Sequence, residues 1–226
     1  MSKVVKLSIG LAVVAALIVA AIFTYIWVVN SQAKDELALP SPTGTAVETA
    51  SPDELVGAWK ASGNSVVGYR VNEVLGGLDA TVTGRSTQVE GTAEFTSEKL
   101  TTAEVTVDMT SFHTDNSNRD SAFQGIWSTD KFPTATFTLT EPVDLGRAAD
   151  IASGKPIAYK AKGTMNIHGT DVPVEVDLSA QFAKGHIDVV GSIPITFEDY
   201  GVSAPDLTFV VVEDTGTMEF SLVLTK

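Results

Sequence analysis

The side chains that could do chemistry in this sequence are few and scattered. His113, His168 and His186 are its three histidines, and His113 has Asp115, Arg119 and Asp120 close by in the chain. A histidine near two carboxylates begins a metal site, but no ligand spacing completes one. There is no Gly-x-Ser-x-Gly elbow, no Gly-rich phosphate loop and no His-Glu-x-x-His helix. With no cysteine, the chain has no disulfide framework, thiolate zinc site, catalytic thiol or lipobox. Paired carboxylates are plentiful among 28 acidic residues, and an acidic surface accounts for them without catalysis. The residues point to a protein that binds rather than transforms, with no cofactor and no metal.

The elements that carry these residues begin with an apolar leader. The 226 residues are 44% hydrophobic and 19% charged, with a net charge of −13 and a mean hydropathy of +0.17. Leu7 to Val29 is 23 residues without a charge, about 35 Å as a helix and enough to cross ~30 Å of hydrocarbon. Lys3 and Lys6 precede it, and Tyr25 and Trp27 mark its far end. The positive-inside rule therefore places residues 1–6 in the cytoplasm and everything after Asn30 outside. Ser31-Gln32-Ala33 offers a small-x-small cleavage site, but a signal-peptide core is shorter, about 7–15 residues, so the expectation is an uncleaved signal-anchor over 7–29. Residues 30–56 are rich in Pro, Ser and Thr and read as a flexible tether. Without Lys3 and Lys6 the remainder holds 13 basic against 28 acidic residues, which repels a phosphate backbone and argues against nucleic acid.

From Gly57 to Lys226 the hydrophobic period is two. Val172, Val174, Val176, Leu178, Ala180 and Phe182 alternate with polar residues. After a Gly-bearing turn the pattern resumes as Ile187, Val189, Gly191, Ile193, Ile195 and Phe197. Other runs agree: Val67-x-Tyr69-x-Val71; Ala103 to Met109; Ala135, Phe137, Leu139; Ala161 to Ile167; Met218 to Leu224. The one good helix candidate lies within Asn116 to Phe132. With no helical layer to cover them, about eight strands must cover themselves, as a sandwich or a closed barrel. The long connection from Thr110 to Pro133 has the length of a lid.

Three stretches resolve that choice. They are Ser111-Phe-His-Thr-Asp-Asn-Ser-Asn-Arg-Asp120 with Phe123, Trp127 and Phe132-Pro133-Thr-Ala-Thr-Phe137; Gly163-Thr-Met-Asn-Ile-His-Gly-Thr-Asp-Val-Pro-Val174; and the turn Asp199-Tyr-Gly-Val202. In this order they resemble the YceI-like family of bacterial exported proteins, over about Gly57 to Lys226. The chain departs from the family pattern at Ser121-Ala122, where many members have His-Leu, at Met165 for Leu, and at Asp171. The resemblance implies an all-β domain, an antiparallel lipocalin-like barrel of about eight strands with one short helix in a long loop, here preceded by one transmembrane helix. It also implies an interior that holds an isoprenoid chain, a polyprenyl phosphate or a quinone.

On that reading the apolar lining comes from Val67, Tyr69, Val105, Val107, Met109, Phe123, Trp127, Phe137, Leu139, Met165, Ile167, Val174, Val176, Ile193, Ile195, Met218 and Phe220. Gly163 and Gly191, on the inward parity, leave room in the interior. Alternation alone favours a filled core, and it is the resemblance that argues for a cavity. Arg119, Asp120 and His113 are the candidates for a head-group contact, and Arg119 and Asp120 serve equally as hydrogen-bonding anchors of their own loop. The partners implied are the lipid or quinone, the membrane through the N-terminal helix, and, compatibly, a second copy in a homodimer.

Overall fold

A computed structural model describes residues 3–39, 51–183, 185–207 and 210–226. In chain order its elements are α1 (Lys3–Gln32), α2 (Pro52–Leu55), β1 (Gly57–Ala61), β2 (Val66–Leu75), β3 (Leu78–Ser86), β4 (Val89–Phe95), β5 (Lys99–Asp108), α3 (Ser117–Ile126), β6 (Thr134–Leu139), β7 (Val143–Asp144), α4 (Ala148–Ile151), β8 (Ile157–Ile167), β9 (Thr170–Ala183), β10 (His186–Thr196), β11 (Asp206–Leu207) and β12 (Val210–Thr225). All strand pairings are antiparallel, and the order β1-β4-β5-β6-β8-β9-β10-β12 closes on itself where Lys60 and Ala61 pair with Thr225 and Leu224. The domain is therefore a closed eight-stranded barrel. Beyond that closure β12 continues and pairs instead with β2, so the β2–β3 hairpin extends the wall at one end.

The period of two explains the register. Phe182 lies opposite Ile187, Ala180 opposite Val189 and Leu178 opposite Gly191, so each pair sends its side chains to the same face. The inward sets of all barrel strands merge into one core, which includes Val107, Met165, Val176, Ile193, Met218 and Leu224. At the tight β8–β9 turn His168 and Gly169 both take positive φ, 54° and 73°, as a two-residue hairpin requires.

More helical structure is present than the single helix expected. Besides α3, the connection from β6 to β8 carries α4, and α2 precedes the first strand. Both close apolar surface: Ile151 and Leu55 are fully buried, and the Leu55 carbonyl accepts from Trp59 Nε1–H at 2.7 Å. The β6–β8 segment also pairs β7 with Lys99 and Leu100 and donates Leu145 N–H to the Glu98 carbonyl, sealing the barrel end away from α3.

The tether expected over 30–56 is only partly what the chain does. Asn30 brackets the free edge of β3, accepting from Thr81 N–H at 2.9 Å and donating to the Asp79 carbonyl at 3.4 Å. Lys34 N–H donates to Thr83 Oγ1, while the carbonyls of Lys34 and Asp35 accept from Arg70 and Arg85. The physical reason is an unpaired strand edge beside two guanidiniums with donors to spare, which a passing backbone satisfies. At the other end Ser51 N–H donates to Glu54 Oε2 as α2 begins. The core of the expected tether, 40–50, lies outside the described residues. The side chains of α1 are described from Ala16 onward, and among the described residues no helix is long and apolar enough to cross a membrane.

Candidate ligand-binding cavity

Inside the barrel, below α3, the inward side chains leave a cavity of about 130 Å³. Its wall takes in Val67, Val105, Val107, Phe137, Leu139, Met165, Val176, Ile193, Met218 and Phe220 from the expected lining, and Thr92 is the one lining residue with a hydroxyl apart from Tyr159. The space exists because Ala93, Ala103, Ala135, Ala161 and Ala180 stand where larger residues would meet across the lumen. Leu100, Val143, Leu145 and Tyr159 line its closed end without having been anticipated. Tyr159 Oη donates to the Leu145 carbonyl at 3.0 Å, and burial, with Asp150 and Asp144 nearby, pushes its phenol up to about 12, so it remains a donor.

The two inward glycines do not supply the room expected of them. A Cβ on Gly163 would meet the ring of Phe137, and one on Gly191 the ring of Phe220. Each glycine lets a cross-strand ring lie flat against the barrel wall instead of standing across the lumen. The space is cleared by where the rings go rather than by the glycines' own emptiness.

A second space, of about 210 Å³, lies on the α3 side. Tyr69, Met109, Phe123, Trp127, Ile167 and Ile195 line it. Met218 lines both spaces and is the one residue they share, so it forms part of the partition between them. Of the expected lining only Val174 borders neither, although it packs against the core. Aromatic contacts hold α3 over this end: Tyr69 stacks on Phe123 with centroids 4.7 Å apart, and Trp127 meets Phe197 edge-on at 5.3 Å.

The polar candidates separate. Arg119 lines the second space, where its Nη2 lies 3.3 Å from Glu73 Oε1 and its Nη1 2.9 Å from Asp115 Oδ1. Asp120 and His113 line neither space. Asp120 accepts from the Thr114 amide and hydroxyl at 2.8 and 2.7 Å and from His113 Nδ1 at 3.2 Å. The His113 side chain is 74% exposed, and its backbone pairs in both directions with Arg85. Desolvation alone would raise the Asp120 carboxyl, but the Thr114 hydrogen bonds and His113 bring it below the ordinary range. These two residues pin the loop rather than face the lumen. Among the described residues no cluster of histidine and carboxylates could hold a metal.

Glu73, like Arg70, is a charged residue lining the second space that sequence reasoning missed. It shares the inward parity of Val67, Tyr69 and Val71 and lies opposite Ala80, but a charge at a strand end reads as solvated. Burial disfavours its ionised form first, Arg119 opposes that, and the carboxyl remains above its usual range. A raised carboxyl costs stability when ionised, so the cost is absent below the unfolded value of about 4.5 and grows as pH rises through the folded value. Glu73→Gln is therefore expected to raise Tm at pH 7, with the gap closing toward pH 4. Thermal unfolding of both proteins across that range measures it.

The three sequence stretches singled out above meet around His168. Its ring packs on Phe132 with centroids 4.5 Å apart, and its Nδ1 donates to the Tyr200 carbonyl at 3.1 Å. Trp127 in turn contacts Tyr200. Motifs far apart in sequence thus lock the α3 segment across one end of the barrel. The sequence matches the model of the YceI-like domain over residues 60–224. The chain belongs to the YceI-like family. No curated protein matches it as a relative. Among solved structures, a polyisoprenoid binding domain from Saccharophagus degradans is similar at TM-score 0.56 and 17% identity, covering 75% of this chain and 98% of its own. BcnA from Burkholderia cenocepacia is similar at TM-score 0.53 and 20% identity, covering 69% of this chain and 95% of its own. At these identities the likeness is one of fold.

Proposed function

We propose that this protein is a membrane-anchored, extracytoplasmic binding protein that holds an isoprenoid lipid, a polyprenyl phosphate or a quinone, in its barrel as carrier or store. The observation that carries the reading is the interior: two spaces that share Met218, lined mostly by apolar side chains, with Arg119 at the α3 end. A similar fold in a polyisoprenoid binding domain supports it. Burying a tail is worth about 0.8 kcal/mol per methylene before entropy and desolvation costs, or ~12 kcal/mol gross for fifteen carbons. The inner space is close to the ~150 Å³ at which an apolar cavity accepts benzene, about one isoprene unit. A longer tail occupies both spaces once Met218 swings aside, and an unbranched thioether side chain is suited to doing so.

The anchor reading rests on the charge-free stretch from Leu7 to Val29 behind Lys3 and Lys6. The described part of α1 supports it: Leu17, Ile18, Val19, Phe23, Tyr25 and Trp27 are all more than half exposed, a surface that water does not favour around a helix. The function is binding, with Arg119, which a phosphate or carbonyl oxygen would have to draw from its longer contact with Glu73, as the head-group cation and no catalytic group assigned.

The test is native mass spectrometry and solvent extraction of the full chain purified from its own cell type. A polyprenyl phosphate or quinone released in stoichiometric amount is the expected result. An empty barrel that takes up neither from vesicles would overturn the proposal and leave a packed acidic interaction module.

A further inference from the structure

We propose that the α3 end of the barrel is held against the bilayer as a docking face for the lipid surface, so that lipid passes directly between membrane and lumen. This rests on reading α1 as the membrane anchor. The argument is one of matched order along two segments. Ile26 and Val29 bury with Leu75, Leu78 and Ala80; Asn30 bonds to Asp79 and Thr81; Lys34 to Thr83; and Asp35 to Arg85. The chain from Ile26 to Asp35 therefore runs parallel to β3, away from the Gly76-Gly77 turn. That turn points back along α1, toward the side from which the helix comes.

Depth follows from the same contacts. Ile26 and Val29 belong to the last turns of the charge-free stretch, beside Tyr25 and Trp27, which are 52% and 70% exposed and suit a membrane interface. The hairpin tip that touches them sits at that level. The α3-side space is lined by Val71, Glu73, Val82, Val210 and Val212, on the strands that lead to this tip. Val71 and Leu75 are four residues apart, about 13 Å of strand. Val211, 42% exposed on the adjoining β12, adds apolar surface to the same end.

Docking is what makes the orientation necessary. An acidic barrel on a loose tether would be turned and pushed from an anionic surface within a Debye length of about 8 Å. Five hydrogen bonds between Asn30 and Asp35 and the hairpin hold it instead, two of them from Arg70 and Arg85, whose side chains are tied in turn to Glu219.

The chain has no cysteine, so single labels are unambiguous. Val211→Cys, and Ser97→Cys at the opposite end, each carry an environment-sensitive fluorophore on the full chain in phosphatidylcholine–phosphatidylglycerol vesicles containing nitroxide lipids. The expected result is quenching of the Val211→Cys label by about threefold or more, with the Ser97→Cys label, beyond the reach of the interface, almost unaffected. A flexible Gly-Ser insertion between Ala33 and Lys34, or Asn30→Ala, should erase that contrast while the protein still floats with the vesicles. Equal quenching of the two labels in a floating protein overturns the docked orientation and restores a free tether. So does contrast that survives the insertion. A chain that does not float with the vesicles at all overturns the anchor reading itself.

Discussion

Phenylalanine in place of Ala161 is expected to stop lipid loading while leaving the barrel folded. Ala161 is 2% exposed, lies opposite Val176 and lines the inner space. Its methyl leaves free volume ahead of it, and an inward ring fills that volume first. Inserting a large side chain into a packed core costs about 1–3 kcal/mol, but here part of that is recovered by filling a void. Tm should move by no more than about 5 °C, whereas lipid recovered per barrel should fall about tenfold or more, because the tail's gross burial energy depends on that space. Organic extraction of wild type, Ala161→Phe and a surface control such as Lys162→Ala measures the outcome. Undiminished lipid in a folded Ala161→Phe protein would place the ligand elsewhere.

The largest stability loss is expected at Glu219, on the outer wall. It is 4% exposed, and its two oxygens lie 2.7 Å from Arg70 Nε and 2.7 Å from Arg85 Nη2. Glu219→Gln leaves two adjacent guanidiniums, both shielded from water, without a counter-charge. Removing one member of such a group costs about 3–5 kcal/mol, mostly the penalty of the stranded charges. At about 2–4 °C per kcal/mol for a domain of this size, Tm should fall by about 10 °C. The triple replacement Arg70→Met, Arg85→Leu and Glu219→Met removes every stranded charge and should recover most of that loss. Because Arg70 and Arg85 also hold the carbonyls of Lys34 and Asp35, the triple variant should nonetheless lose the membrane orientation. Thermal unfolding separates the first effect from the vesicle-quenching readout of the second. A single variant as stable as wild type would show that the cluster carries no net weight.

Much of the fold is legible in the sequence because alternation is a local signal. Val172 to Phe182 and Ile187 to Phe197 each declare a wet and a dry face within a dozen residues, and their pairing follows from the turn between them. A one-sided sheet with no helices to cover it must cover itself as a sandwich or a barrel, the family motifs favour the barrel, and all of the expected lining but Val174 borders one of its two interior spaces. The role of Gly163 and Gly191 was not legible. That depends on Phe137 and Phe220, which reach them from neighbouring strands, and a glycine's spacing does not say which ring will lie on it. Arg119 was visible as a cation in a long loop, but its partner Glu73 lies 46 residues away and meets it only through the closed wall.

The tether shows the same division more sharply. Composition identifies Asn30 to Val56 as rich in Pro, Ser and Thr, although Leu55 near its end is buried in the core. Composition does not register that β3 ends the sheet with an unpaired edge, or that two guanidiniums stand beside it. A segment without an apolar face can still be ordered by the hydrogen bonds that another part of the chain has left unsatisfied. The sequence by itself therefore determined the strand period, the inward set, the family motifs and the apolar leader, all of which are encoded in near neighbours. The tertiary structure alone decided the partition at Met218, the Arg119–Glu73 pair and the docking of residues 30–35, because each joins groups that only barrel closure brings within a few ångströms.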